Sequence, residues 1–153
     1  MRYSIDTSAL IEAWVRVYPK DIFPTWWRLF QDAVNQDLIK ASQMVLLELE
    51  NKDDDLYKWA RTQQNLFIPI QEDIQIEVKN ILDKHPRLVE NRKQRSGADP
   101  FVIALAKIHN ASVITNEAAT GKSDKPNIPD VCNTMKISCL RLTDFMREMK
   151  WQI

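Results

Sequence analysis

Four acidic residues at the ends of, or inside, hydrophobic segments carry the chemistry of this chain. Asp6 closes Arg2-Tyr3-Ser4-Ile5, and Glu48 sits between Leu47 and Leu49. Asp99 opens Asp99-Pro100-Phe101-Val102-Ile103-Ala104-Leu105-Ala106, and Glu117 follows Ser112-Val113-Ile114-Thr115-Asn116. A carboxylate at the mouth of a buried element is costly unless something uses its charge. Brought together, these groups repel one another, and a hard divalent cation with oxygen ligands is the natural counter-ion. Such an ion binds phosphate, orients water and lowers that water's pKa, so metal-dependent phosphodiester hydrolysis is the chemistry expected.

Each acid alone has a plainer reading. Asp6 suits the N-cap of the helix after the first strand, and Asp99-Pro100 matches N-cap and N1 of another. Glu48 is a fair helix former that could point outward, and Glu117 alone suits the surface. The joint pattern carries the expectation. Cations that could grip a phosphate backbone stand near it: Arg92, Lys93 and Arg95 precede Asp99, and Lys122 and Lys125 lie beyond Glu117. They fit phosphate contacts or a solvated basic loop. Thr115 and Ser8 suit hydrogen bonds that orient a carboxylate or water, or local capping. Trp26, Trp27 and Trp59 fit base stacking, although at helical spacing core or interface packing is favoured, and the Trp-rich second helix fits a dimer face or a partner's groove.

The elements that must position these groups alternate between strand and helix. Residues 2–6 read as a strand, and residues 8–17 as a helix stopped by Pro19. Pro24 opens a helix to about residue 36, and 38–41 is a brief strand. Ser42 suits the N-cap of the helix that carries Glu48. Asp53-Asp54-Asp55 begins a helix and favours its positive end. Residues 66–70 read as an extended link, 72–84 as an amphipathic helix ended by His85-Pro86, and 87–97 as a basic loop. An apolar helix runs from Asp99 to about 109, followed by a strand over 111–115. Gly121, Pro126 and Pro129 mark 118–130 as a loop. Residues 137–142 read as a last strand, and Thr143 caps a terminal helix. This order implies an α/β fold with a mostly parallel sheet covered on both faces, whose site forms beyond the carboxyl ends of the strands.

The bulk properties set limits. The 153 residues suit one domain. With 21 acids balanced by 21 bases, net charge does not steer the chain toward nucleic acid, which leaves any such role to a local patch. No apolar run approaches the ~20 residues that span a membrane, and the chain opens directly on a strand-like segment, so no membrane partner and a cytoplasmic location are expected. Cys132 and Cys139, six residues apart, lack the companions of a zinc site. With Gly97 and Gly121 as its only glycines, the chain has no phosphate-cradling loop.

These motifs together resemble a known family. Ile5-Asp6-Thr7-Ser8-Ala9-Leu10-Ile11 resembles the opening of PIN domains, and Glu48-Leu49-Glu50 their second acid. Gly97-Ala98-Asp99-Pro100 and the apolar run after it resemble the third-acid helix, and Val113-Ile114-Thr115-Asn116-Glu117 the fourth-acid strand. Segments Tyr3 to Trp14, Glu48 to Trp59 and Lys125 to Cys132 are also similar to a poorly characterised PIN-like subgroup of prokaryotes. The resemblance implies a single PIN-like domain over 1–153 with a three-layer α/β/α fold. It implies a ribonuclease dependent on Mg²⁺ or Mn²⁺, the toxin of a toxin–antitoxin pair, with RNA as substrate and an antitoxin protein as partner; a homodimer through the Trp-rich second helix is a further expected assembly. By position, Asp6, Glu48, Asp99 and Glu117 are the implied catalytic acids. Asp6 and Asp99 are expected to hold the metal directly, with Glu48 and Glu117 acting through water or on a second ion. The family usually has Asp where this chain has Glu117, so Asp130 is a fifth candidate ligand, with a turn role after Pro129 as its alternative. A catalytically decayed interaction module is the competing function.

Overall fold

The computed structural model describes residues 1–90 and 97–153, with Glu90 in its backbone only. Among the described residues, five short strands form one parallel sheet: β1 (Tyr3–Ile5), β2 (Ile39–Ser42), β3 (Phe67–Ile68), β4 (Ser112–Ile114) and β5 (Cys139–Leu140). Their spatial order is β3-β2-β1-β4-β5. The chain therefore winds outward from β1 to one edge, then returns to β4 on the other side of β1. Right-handed crossovers place the helices of the first half on one face and those of the second half on the other, with the switch between β1 and β4.

The first face carries α1 (Thr7–Ile11), which runs on as a π-helical segment over Glu12–Val17, then α2 (Pro24–Asn35), α3 (Gln43–Glu50) and α4 (Asp54–Arg61). The second carries α5 (Glu72–Lys84), α6 (Arg87–Glu90), α7 (Asp99–Ile108) and α8 (Ile128–Met135). A last helix, α9 (Leu142–Glu148), follows β5 and returns to the first face, where the Phe145 ring meets Tyr3 edge-on at 5.0 Å. Strand β1 shows both faces: Tyr3 turns toward α9, while the buried Ser4 hydroxyl donates to the Val102 carbonyl of α7 at 2.9 Å. Side chains alternate across a strand, so a helix packs on each side of β1.

Several local signals act as their chemistry dictates. The Ser42 hydroxyl accepts from the Met44 N–H and starts α3, and the Asp53 carboxylate accepts from the Leu56 N–H and starts α4. Helix α5 spans the 72–84 expected from its apolar spacing.

Other elements differ from the sequence reading. The link at 66–70 contributes β3, a two-residue edge strand ended by Pro69. Arg87–Glu90 is a helical turn rather than loop. The loop expected over 118–130 ends early, because α8 begins at Ile128 and holds Pro129 in its first turn, where proline's missing N–H costs nothing. The residue capping α9 is Arg141, with Thr143 already inside the helix. Asp99 is the first residue of α7, and Ala98 occupies the cap position.

The aromatic residues build the core. Trp26 and Trp27 are buried, and the Trp27 ring meets Trp14 at 5.0 Å and Trp59 at 4.9 Å. The Trp27 Nε1–H donates to the Tyr18 carbonyl at 2.7 Å, which satisfies the indole's polar group. Trp27 thus lies in the core beside Trp14 and Trp59, and Trp26 beside Tyr18, Phe30 and Trp151, so the two tryptophans of α2 take the core reading and present no docking or base-stacking face.

Candidate functional site

Parallel strands end at one edge of a sheet, and the switch between β1 and β4 opens a crevice there. Asp6 is the residue after β1, and its N–H donates to the Ile114 carbonyl at 2.9 Å, which fixes it against the end of β4. Thr115 follows β4 and is held in turn by an N–H bond to the Leu140 carbonyl at 3.0 Å. Glu48 arrives on α3, and Asp99 in the first turn of α7. All four expected acids, Asp6, Glu48, Asp99 and Glu117, line one cavity of about 310 Å³, together with Thr7, Ser8, Ile11, Lys52 and Asn116.

Three of the four carboxylates are deeply placed: Asp6 is 2% exposed, Asp99 5% and Glu48 6%. Asp6 occupies the cap position of α1, but its side chain makes no capping bond. Instead its Oδ2 accepts from the Ser8 hydroxyl at 2.6 Å and the Thr115 hydroxyl at 2.9 Å. Each hydroxyl has one proton and directs it at Asp6, so the 3.2 Å approach of Ser8 to Thr115 is a contact rather than a further bond. As acceptors the same hydroxyls take the Asn116 N–H at 3.0 Å and the Glu117 N–H at 3.1 Å, which ties the loop after β4 to the carboxylate. Asp6 Oδ1 accepts no hydrogen bond among the described residues.

Glu48 points inward. Its Oε2 accepts from the buried Thr7 hydroxyl at 3.0 Å, a bond that joins α3 to α1. Glu117 lines the cavity, and its Oε2 also accepts the Ile128 N–H at 3.0 Å, at the start of α8. Burial pushes the Asp6 carboxyl up to about 6, the negative charges of Glu117 and Glu48 add to the rise, and the two hydroxyls oppose it. Asp6 is thus a buried acid whose neighbours raise the cost of its charge.

Asp130, the expected fifth ligand, does not line this cavity. Its carboxylate takes the N–H groups of Thr120, Gly121 and Asn127 and the Thr120 hydroxyl, and it closes a capping box with Asn127 at the start of α8. Desolvation is the largest single influence and raises its carboxyl, but those bonds together outweigh it and hold the group below the usual range. It lines a separate cavity with Lys84, His85 and Lys122. Arg92, Lys93 and Arg95 lie outside the described residues, so their expected contact with substrate has no structural counterpart here.

Two contributors escaped sequence reasoning. Thr7, the first residue of α1, is the donor to Glu48. Lys52 stands four residues after Glu48, just past the end of α3, and that spacing is the signal that could place it beside Glu48 at the cavity.

Every polar group named on the cavity wall except Lys52 and Asn116 offers carboxylate or hydroxyl oxygen, the donor set of Mg²⁺ or Mn²⁺ rather than of a soft metal. Among the described residues, no three His, Cys, Asp or Glu side chains stand close enough to cage a metal ion. Mg²⁺ keeps several waters and takes one or two carboxylates directly, so an open ring of acids fits it better than a closed cage does.

Residues 3–153 match the model of a family described as a domain of unknown function, DUF4411. The chain belongs to that family. No curated protein matches this DUF4411 chain in sequence. Among solved structures it is similar to FitAcB from Neisseria gonorrhoeae, at 14% identity and a TM-score of 0.53, over 90% of this chain and 96% of that one. It is also similar to VapBC2 from Rickettsia felis bound to a DNA fragment from their promoter, at 14% identity and a TM-score of 0.54, over 92% and 98% of the two chains. At that identity the likeness is one of fold, and it bears out the α/β, PIN-like architecture expected from the motifs. No helix among the described residues is long and apolar enough to cross a membrane.

Proposed function

We propose that this DUF4411 protein is an endoribonuclease that hydrolyses phosphodiester bonds with Mg²⁺ or Mn²⁺ in the acidic cavity, and that it serves as the toxin of a toxin–antitoxin pair. One observation carries the reading: Asp6, whose carboxyl is raised by burial and further by its acidic neighbours, shares a cavity at the sheet's switch point with Glu48, Asp99 and Glu117. A protein keeps such a carboxylate when something positive completes it.

In this reading Asp6 and Asp99 hold the ion directly, and Glu48 and Glu117 orient water around it. Ser8 and Thr115 fix Asp6 through Oδ2, so Oδ1 is the oxygen offered to the cation. Thr7 holds the Glu48 side chain toward the cavity. When bound, the ion supplies positive charge to the phosphate and acidifies water. Hydrolysis would form a bond from phosphorus to the water oxygen and break the bond to the leaving oxygen, with the water giving up one proton and the leaving oxygen taking one up. Arg92, Lys93 and Arg95 are the proposed grip on the RNA backbone, on sequence grounds.

The toxin role draws on the motif resemblance and on the fold shared with chains of FitAcB and VapBC2. A protein antitoxin encoded beside this chain is the partner it requires. A second reading, a module that binds without cutting, draws on Glu117, whose Oε2 is engaged at the start of α8. Incubation of labelled RNA and DNA with Mg²⁺, Mn²⁺ or chelator separates the two. The nuclease reading expects RNA fragments that need the metal and vanish in Asp6→Asn; intact RNA under every condition supports the binding module.

A further inference from the structure

Lys52 is the one cation that lines the acidic cavity among the described residues. It stands in the turn after α3, where its N–H donates to the Leu49 carbonyl at 3.0 Å, and its side chain is exposed. An ammonium beside four carboxylates would ordinarily close onto one of them. Here it makes no ion pair and no side-chain hydrogen bond among the described residues. The carboxylates beside it have other partners: Asp6 takes two hydroxyls, Glu48 takes Thr7, and Glu117 takes the Ile128 N–H.

We infer that Lys52 is a phosphate-binding residue, contacting the backbone of a single-stranded RNA as the strand enters the cavity. The inference rests on the nuclease reading and deepens it. A strand brings negative charge to a cavity already ringed with carboxylates, and the approach needs a positive group at the rim that is not neutralised beforehand. Lysine suits that place: a compact point charge on a flexible stem follows a phosphate without fixing its geometry. Such a contact holds the strand and carries no sequence preference.

Binding tests this apart from cleavage. The catalytically silenced full chain, Asp6→Asn, is titrated onto a fluorescein-labelled single-stranded RNA at several salt concentrations, with and without Lys52→Gln. One lost phosphate contact makes the slope of log K against log[salt] shallower by about 0.7. The expected result is that shallower slope and weaker binding in Lys52→Gln, recovery in Lys52→Arg, and no change in Lys79→Gln, an exposed lysine on α5 outside the cavity. An unchanged melting temperature in Lys52→Gln shows that the fold is intact. Equal affinity and slope with and without Lys52, or no RNA binding by Asp6→Asn at all, overturns the inference. Wild-type protein that cuts RNA while binding ignores Lys52 sinks this inference alone. RNA held through Lys52 but never cut sinks the nuclease reading alone.

Discussion

The Thr115 hydroxyl donates to Asp6 Oδ2 at 2.9 Å, joining residues 109 positions apart at the switch point between β1 and β4, where the strand order reverses. Together with Ser8 it favours the ionised form of Asp6, against burial and against the charges of Glu117 and Glu48. Removing the donor shifts that balance. Thr115→Val should raise the Asp6 carboxyl above about 6, and Ser8→Ala should do the same. Carboxyl chemical shifts followed through a pH titration read this directly. An Asp6 midpoint unchanged in both variants would show that the hydroxyls do not tune it.

The same carboxyl ties stability to pH. Its folded value, about 6, lies above the ordinary 3.8, so the folded state holds the proton more tightly than the unfolded chain does. Stability from this group is therefore full below the ordinary value and is lost as pH rises toward the folded one. The loss amounts to about 3 kcal/mol once Asp6 is fully ionised. In chelator, Asp6→Asn should be more stable than wild type at pH 8 and close to it at pH 4. Urea unfolding at the two pH values checks the sign; a wild type stabilised by the rise, relative to Asp6→Asn, contradicts it.

Glu48 and Thr7 form a buried pair whose halves are unequal. Glu48→Gln keeps an oxygen for the Thr7 hydroxyl and removes a charge that raises Asp6, so the fold should hold while the Asp6 carboxyl falls. Thr7→Val leaves the Glu48 carboxylate without its donor and should cost about 1–3 kcal/mol. Denaturant midpoints of the two variants measure the contrast, and equal losses would argue against an inward-facing Glu48.

Asp130 should behave as a structural acid. Asp130→Ala removes the acceptor for three backbone N–H groups and should cost about 1–2 kcal/mol through the lost cap and loop. Metal binding by the folded variant should survive. A variant that folds normally and loses its metal would return Asp130 to the site.

The acids were legible because each interrupts or ends an apolar segment, and because an alternating strand–helix order sends strand ends to one edge. Asp6 read in isolation suited a helix cap, and only the fold shows its side chain turned to Ser8 and Thr115 instead. Helix α5 was legible to the residue from its apolar spacing. Helix α8 was not, since Gly121, Pro126 and Pro129 all signal a loop, and Pro129 turned out to be a first-turn proline. The partner of Glu48, 41 residues away in Thr7, has no local signature in the sequence. Nor does the burial of Trp26 and Trp27, whose helical spacing fits a core and an interface equally.

Calorimetric titration of Mn²⁺ into wild type, Asp6→Asn, Asp99→Asn and Asp130→Asn at pH 7.5 tests most directly whether the acidic cavity binds a divalent ion. Saturable binding in wild type and Asp130→Asn, lost or much weakened in Asp6→Asn and Asp99→Asn, is the predicted result. No binding by wild type, or binding that ignores Asp6, would contradict it.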